Sequence, residues 1–173
     1  MDDLLKKASL ITLLVLDVDG VLTDGKLYFS NNGDEFKAFN TLDGQGIKML
    51  QNSGVEVAII TGRQSEILKQ RADNLGIQHL IQGREDKLAA LDELRAILSL
   101  DYPQIAFLGD DLPDLPAIRK AGLGMTVSNG HRFVAEHAQW QTYANGGNGA
   151  VREACEFIMQ AQSTLQAAWE QYL

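Results

Sequence analysis

This sequence predicts an α/β fold, three layers deep, with a parallel sheet in the middle. Short apolar runs recur at Ile11–Leu16, Val55–Ile60, His79–Ile81, Ile105–Leu108 and Gly124–Val127. They have the length and unbroken apolar character of strands buried on both faces. Stretches with helical periodicity separate them, and this alternation is the mark of a Rossmann-like sandwich with crossover helices. Acidic clusters follow two of the runs directly, and strand carboxyl ends are where open α/β sheets bind ligands. At 173 residues the chain suits one domain, residues 1–173, with no internal repeat, low-complexity segment or linker to divide it.

The elements follow in order. After the first run comes Gly25–Phe39, which reads as a projecting β-hairpin with Asn32-Gly33 in a two-residue turn. That register pairs Phe29 with Phe36 and Leu27 with Ala38, all on one face. A lone hairpin is barely stable in water, so the domain body or, as the favoured reading, another subunit has to cover it. One helix fills the way to the second run. Ser65–Leu75 then opens with a capping residue and stops at Gly76. Glu85–Leu98 carries Leu88, Leu91, Leu94, Ile97 and Leu98 on one face. A last helix is expected over about 150–173, with Val151, Ala154, Cys155, Ile158, Met159, Leu165, Trp169 and Tyr172 as its apolar stripe. It would reach roughly 35 Å, so either it folds back along its own sheet or its end packs on a neighbour.

Composition narrows the partners. A net charge of −8 and a pI of about 4.8 argue against nucleic acid, whose phosphates need a basic footprint. An anionic ligand has to be drawn in by a metal ion and local Arg or Lys side chains. Cys155 is the only cysteine, so no internal disulfide is possible and a cytoplasmic setting is expected. The apolar stretch Leu10–Leu16 is too short for a membrane span and ends in Asp17 and Asp19.

The strongest chemical signal is LLVLDVDGVLTDG. In an extended chain Asp17 and Asp19 project to one side of the strand's end, and Gly20 permits a sharp turn. Two carboxylates this close repel unless a cation joins them or one is protonated. A second cluster, Asp110, Asp111 and Asp114, follows the run IAFLG. Hard oxygen donors without His or Cys point to Mg2+ rather than zinc. Between the clusters, Thr61 and Gly62 follow a strand and Lys87 lies near the start of a helix. A hydroxyl, backbone amides and an ammonium suit the oxygens of a phosphate. Each piece alone is commonplace: Thr-Gly is usually a turn, Lys87 a solvated lysine, Asp114 a helix cap. Their joint order is far more specific.

That pattern resembles the haloacid dehalogenase superfamily of phosphotransferases, over Asp17 to Asp114. The resemblance implies that Asp17 is the nucleophile and Asp19 the general acid and base. The metal ligands it implies are Asp17, the Asp19 carbonyl and Asp110. Thr61 then binds phosphate, Lys87 neutralises phosphate and nucleophile, and Asp111 or Asp114 helps hold the site. Only 44 residues separate Asp17 from Thr61 and 26 separate Thr61 from Lys87, which leaves no room for a cap domain. The capless plan and the segments LDVDGVLTDGKLYFSNNGDEFKAFNTLDGQGIKML, ITGRQSEILKQRADNLGI, GDDLPDLPAIRKAGLG and NGGNGAVREACEFI resemble one subgroup, the 3-deoxy-D-manno-octulosonate 8-phosphate (KDO 8-phosphate) phosphatases of lipopolysaccharide synthesis.

This second resemblance implies a homotetramer whose hairpins assemble together. It places Asn40, Thr41, Leu42, Asp43 and Gly44 beside the sugar, with Gly62 and Asp111 at the substrate. Arg63 and Arg71 face the substrate's anionic end, as guanidinium forks suit carboxylates, and Lys48 is a further basic contact. The Gly146–Gly149 stretch is either a mobile flap over a site or a simple turn before the last helix. Two alternatives share the fold: a phosphatase for a nine-carbon ulosonic acid 9-phosphate, and a non-catalytic tetramerisation domain, against which the intact acidic set argues. A signalling receiver domain is the third rival, but there the acidic pair precedes the phosphorylated aspartate, and here it comes last.

Overall fold

The computed structural model describes residues 2–173. The chain opens with α1 (Asp2–Ser9) and β1 (Leu13–Leu16), then a hairpin of β2 (Tyr28–Phe29) and β3 (Glu35–Phe36). Next come α2 (Thr41–Asn52), β4 (Glu56–Ile60), α3 (Glu66–Leu75), β5 (His79–Ile81), α4 (Lys87–Leu98) and β6 (Ile105–Gly109). The last part holds α5 (Leu115–Lys120), β7 (Leu123–Thr126), α6 (Arg132–Ala135), β8 (Trp140–Gln141), α7 (Ala150–Ala161) and α8 (Leu165–Glu170). Six parallel strands make the central sheet in the order β5-β4-β1-β6-β7-β8. The hairpin is a separate antiparallel pair.

Side-chain alternation explains the three layers. In β1, Leu14 and Leu16 enter a core with Ile47 and Leu50 of α2 and Val151 and Ile158 of α7. Leu13 and Val15 point the other way, to Leu91 and Leu94 of α4 and Ile118 of α5. Burying such a side chain contributes about 1.5–3 kcal/mol, so β1 tolerates no polar residue until its last hydrogen bond, from the Asp17 amide to the Leu108 carbonyl (3.0 Å), is made. The first carboxylate thus stands where two apolar layers end. Ser65 caps α3 by accepting from the Leu68 amide (3.4 Å), and Gly76 closes the helix at φ +71°.

Four expectations need correction. The hairpin pairs Tyr28 with Phe36 and Phe29 with Glu35, one residue out of the expected register. Its loop has three residues, with the Gly33 amide donating to Ser30 (3.1 Å) and Gly33 left-handed at φ +87°, the type I turn plus bulge that competes with a two-residue Asn-Gly turn. Phe29 and Phe36 therefore lie on opposite faces, and Leu27, Tyr28, Phe29 and Phe36 are all exposed. In α4 the buried face is Lys87, Ala90, Leu91 and Leu94, while Ile97 is 77% exposed.

The C-terminal segment is two helices, not one. The Ser163 amide bonds Gln160 (3.1 Å) and the Thr164 amide bonds Met159 (2.9 Å), with Ser163 at φ +59°. This is a Schellman closure with serine where glycine is usual. Helix α8 then folds back on its own chain, where the Trp169 indole donates to Glu156 (3.3 Å) and the Gln45 amide to the Tyr172 hydroxyl (2.5 Å). Finally, β8 has no counterpart among the expected strands, since two residues form no readable apolar run.

Candidate active site

The site grows from the carboxyl ends of β1 and β6. After β1 the chain folds into a tight turn: the Val18 carbonyl accepts from the amides of Val21 (3.2 Å), Leu22 (2.9 Å) and Thr23 (3.0 Å). Gly20 sits in that turn at φ +98°, and a Cβ there would lie 2.1 Å from Asp110 Oδ2. Glycine is thus required twice over, for its backbone and for the approach of Asp110. After β6 the chain makes a 3-10 turn, Leu112–Asp114, that folds Asp114 back. A Cβ on Gly109 would lie 2.4 Å from Asp114, so this return also needs a glycine.

Asp17, Asp110 and Asp114 form one group, with an oxygen from each within 4.8 Å of the others. Lys87 enters from the buried face of α4, and its Nζ lies 2.8 Å from Asp17 Oδ1 and also pairs with Asp114 Oδ1. The second oxygen of Asp114 accepts from the amides of Asp110 (2.9 Å) and Asp111 (3.2 Å). Asp114 therefore locks the lysine and the second acidic loop together. Burial pushes Asp17 up from 3.8 to about 6, aided by Asp114 and opposed by Lys87. Burial, then Asp17 and Asp114, push Asp110 up to about 7. Burial alone would lower Lys87, but its two carboxylates win and raise it.

This group fits a divalent cation on the chemistry of its donors. Three carboxylates face one ammonium, so two negative charges lack a partner, and a hard cation with oxygen ligands removes the deficit.

Asp19 lies beyond the cluster. Its carboxylate is held by Lys37 of the hairpin (2.5 Å) and, less closely, by Arg63 (3.7 Å). Thr61 is buried at the end of β4, where its hydroxyl accepts from the Arg63 amide (3.5 Å). Gly62 lies beside the Glu85 carboxylate. Arg71 donates to the Asn40 carbonyl (3.2 Å) and covers the Phe39 ring, lying so close to Gly44 that a Cβ there would be 2.3 Å away. Asn40 caps α2 through the Leu42 amide (2.7 Å) and reaches the Gly147 carbonyl (3.3 Å).

The other residues expected at the substrate divide between buried and exposed positions. Asp43 is 1% exposed and accepts from the amides of Gly149 (3.3 Å) and Arg152 (2.9 Å) at the start of α7. Burial raises its pKa, and the amides it takes from that helix end oppose the rise. Thr41, Leu42 and Lys48 are exposed on α2, and Asp111 turns outward to cap the Leu112 amide (2.8 Å). Gly146 and Gly147 are pinned to the site by bonds to Asn129 (2.8 Å) and the Val21 carbonyl (2.8 Å), as a fixed turn would be.

Two residues at the site carried no expectation: Lys37 and Glu35. The Lys37 side chain is only 4% exposed although the residue belongs to a projecting hairpin. The readable signal was alternation, since Glu35 and Lys37 share one face of a strand whose other face carries Phe36 and Ala38.

Taken together, a carboxylate pair at one strand end, a buried lysine and a second acidic loop define the class of aspartate-based α/β phosphohydrolases. A family model described as haloacid dehalogenase-like hydrolase matches residues 80–153. The curated 3-deoxy-D-manno-octulosonate 8-phosphate phosphatase KdsC of Yersinia pestis is 47% identical over 96% of this chain and 89% of its own length. A probable YrbI family phosphatase from Pseudomonas syringae superposes with a TM-score of 0.98 at 60% identity, covering 99% of this chain and 98% of that one. The same TM-score, at 44% identity over 100% of this chain and 99% of the other, relates it to the Moraxella catarrhalis 3-deoxy-D-manno-octulosonate 8-phosphate phosphatase in complex with magnesium, phosphate and KDO. The chain belongs to the haloacid dehalogenase-like hydrolases, in the KDO 8-phosphate phosphatase family.

Proposed function

We propose that this protein is a Mg2+-dependent phosphomonoesterase that hydrolyses KDO 8-phosphate to KDO and inorganic phosphate, in the cytoplasm and in lipopolysaccharide synthesis. The observation that carries the chemistry is the Asp17–Lys87 contact (2.8 Å) inside a cluster two charges short of neutrality. Full-length identity to KDO 8-phosphate phosphatases supports the substrate.

In the first step an Asp17 oxygen bonds to phosphorus as the bond from phosphorus to the sugar oxygen breaks. Asp19 donates its proton to that leaving oxygen, and an aspartyl phosphate remains on Asp17. In the second step Asp19 takes a proton from water, whose oxygen attacks phosphorus and frees Asp17. Lys87 offsets the negative charge of both nucleophile and phosphate, and Thr61 with the Gly62 amide holds phosphate oxygens. Mg2+, held by Asp17, Asp110 and the Asp19 carbonyl, supplies the remaining positive charge. Arg63 and Arg71 orient the sugar acid's carboxylate, with Asn40, Thr41, Leu42, Gly44, Lys48 and Asp111 lining the approach and Asp43 holding that segment against the start of α7. A homotetramer built on the exposed hairpin faces closes a site that no cap covers.

The test is phosphate release with Mg2+ from KDO 8-phosphate, a nine-carbon ulosonic acid 9-phosphate and hexose phosphates. Strong preference for KDO 8-phosphate is expected, and a preference for the nine-carbon ester overturns the substrate. Asp17→Asn should lower turnover on the order of 10⁴-fold or more and leave the fold intact. Substantial remaining turnover would remove Asp17 from the nucleophile's role.

A further inference from the structure

The hairpin touches the chemistry through one side chain that the mechanism above does not use. Lys37 Nζ lies 2.5 Å from Asp19 Oδ1 and 3.4 Å from Glu35 Oε1. Arg63 reaches the other Asp19 oxygen (3.7 Å) and the same Glu35 oxygen (3.3 Å). Both oxygens of Asp19 are therefore steered by cations, and Glu35 ties the two cations together. A lysine buried to 4% exposure costs desolvation that surface lysines avoid. The hairpin gains little else from its own body, since its strands have two residues each and its apolar side chains stand exposed.

We infer that Lys37 is a positioning residue for Asp19: the hairpin holds the proton-transferring carboxyl in place through it. This rests on the acid–base role given to Asp19 above. An alkyl leaving group such as a sugar alkoxide needs a proton delivered along one direction, and misplacing a reacting group by about 1 Å costs on the order of 100-fold. Arg63 is partly exposed and free to leave Asp19 for a substrate carboxylate. Lys37 is enclosed and stays. The two cations thus divide the work: Arg63 exchanges with substrate, while Lys37 keeps the carboxyl aimed during that exchange.

The experiment is a double-mutant cycle on first-turnover leaving-group release, with two esters. One is KDO 8-phosphate; the other is p-nitrophenyl phosphate, whose leaving group departs without a proton. Lys37→Met should slow the first turnover of KDO 8-phosphate at least about tenfold and that of p-nitrophenyl phosphate less than about threefold, with KM little changed. In an Asp19→Asn background the same substitution should cost almost nothing further, because it acts only through Asp19. Lys37→Arg should recover most of the rate. Circular dichroism and gel filtration select variants that fold and assemble as the parent does, and Lys37→Gln, which also removes the charge, carries the test if Lys37→Met does not.

Equal losses on both esters, full additivity with Asp19→Asn, or a change confined to KM would overturn the inference. The last outcome would make Lys37 a substrate contact. If the parent enzyme ignores KDO 8-phosphate, the substrate reading above fails alone. The comparison then moves to whichever alkyl phosphate the enzyme accepts.

Discussion

Two clusters of charge meet at the carboxyl end of β1, one built on Asp17 and one on Asp19. The first sets three carboxylates against one ammonium and lies almost wholly inside the protein. The second sets Asp19 and Glu35 against Lys37 and Arg63, and only Lys37 is enclosed. One is out of balance and the other is balanced, though a single residue, Val18, separates their centres in the chain. Buried charge that is unmatched has to recruit a counter-ion or protons. Matched charge at the surface needs neither, and mainly fixes directions. Under the mechanism proposed above, the contrast divides the labour of the site: the inner cluster would hold metal and phosphate, and the outer one would aim the proton.

Removing the one cation of the inner cluster is the hardest blow to this division. Lys87→Met leaves Asp17, Asp110 and Asp114 unopposed, and breaking a buried pair costs about 3–5 kcal/mol. Urea unfolding of the metal-free variant should show that loss at pH 8 and a smaller one at pH 5, where protons replace the missing ammonium. Phosphate release should fall on the order of 100-fold or more. Parental stability at pH 8 would mean that the inner carboxylates are not truly crowded.

Metal and pH should act on the inner cluster together. Asp17 is raised from 3.8 to about 6 and Asp110 to about 7, so each binds its proton more tightly folded than unfolded. Their contribution favours the fold fully below about pH 4 and drains away as pH rises towards 7. At about 1.4 kcal/mol per unit this reaches a few kcal/mol for each group. Asp24, Asp86, Asp92 and Glu93 are lowered by hydrogen-bonding partners and run the other way in acid. The clean measurement is therefore the difference in Tm between Mg2+ and chelator at each pH. Because ligands must be deprotonated to bind, Mg2+ should stabilise more at pH 8 than at pH 5. A flat or inverted difference would detach the ion from this cluster.

The inner cluster was largely legible in the sequence and the outer one was not, for a physical reason. Asp17, Lys87, Asp110 and Asp114 each follow a strand or open a helix, and a parallel sheet gathers strand ends without further information. The apolar runs that make those strands are unambiguous because both faces are buried. Lys37 depends instead on the hairpin's register, and an Asn-Gly loop admits both a two-residue turn and the three-residue turn observed. A slip of one residue exchanges faces, so periodicity alone left the partner of Lys37 undetermined. The helix break at Ser163 was hidden in the same way, because serine takes a left-handed cap without announcing it as glycine does. Asp43 shows the converse: a carboxylate near the site in sequence spends itself on the start of α7.

The finest test of the comparison is to unbalance the outer cluster as well. Glu35→Gln removes one charge but keeps the side chain's shape, leaving Lys37 and Arg63 with Asp19 alone. Glu35 and Arg63 are 22% and 42% exposed, so water takes over much of the lost pairing, and partly exposed pairs contribute only about 0–1 kcal/mol. Urea unfolding should move by no more than that. Turnover of KDO 8-phosphate should change no more than a few-fold, because Lys37 still holds Asp19 Oδ1. Released from Glu35, Arg63 should bind the sugar acid's carboxylate at least as well, so KM should fall or stay level. A loss approaching that of Lys87→Met would mean that the outer cluster is no less sensitive to charge than the inner one, and that charge balance does not separate their roles.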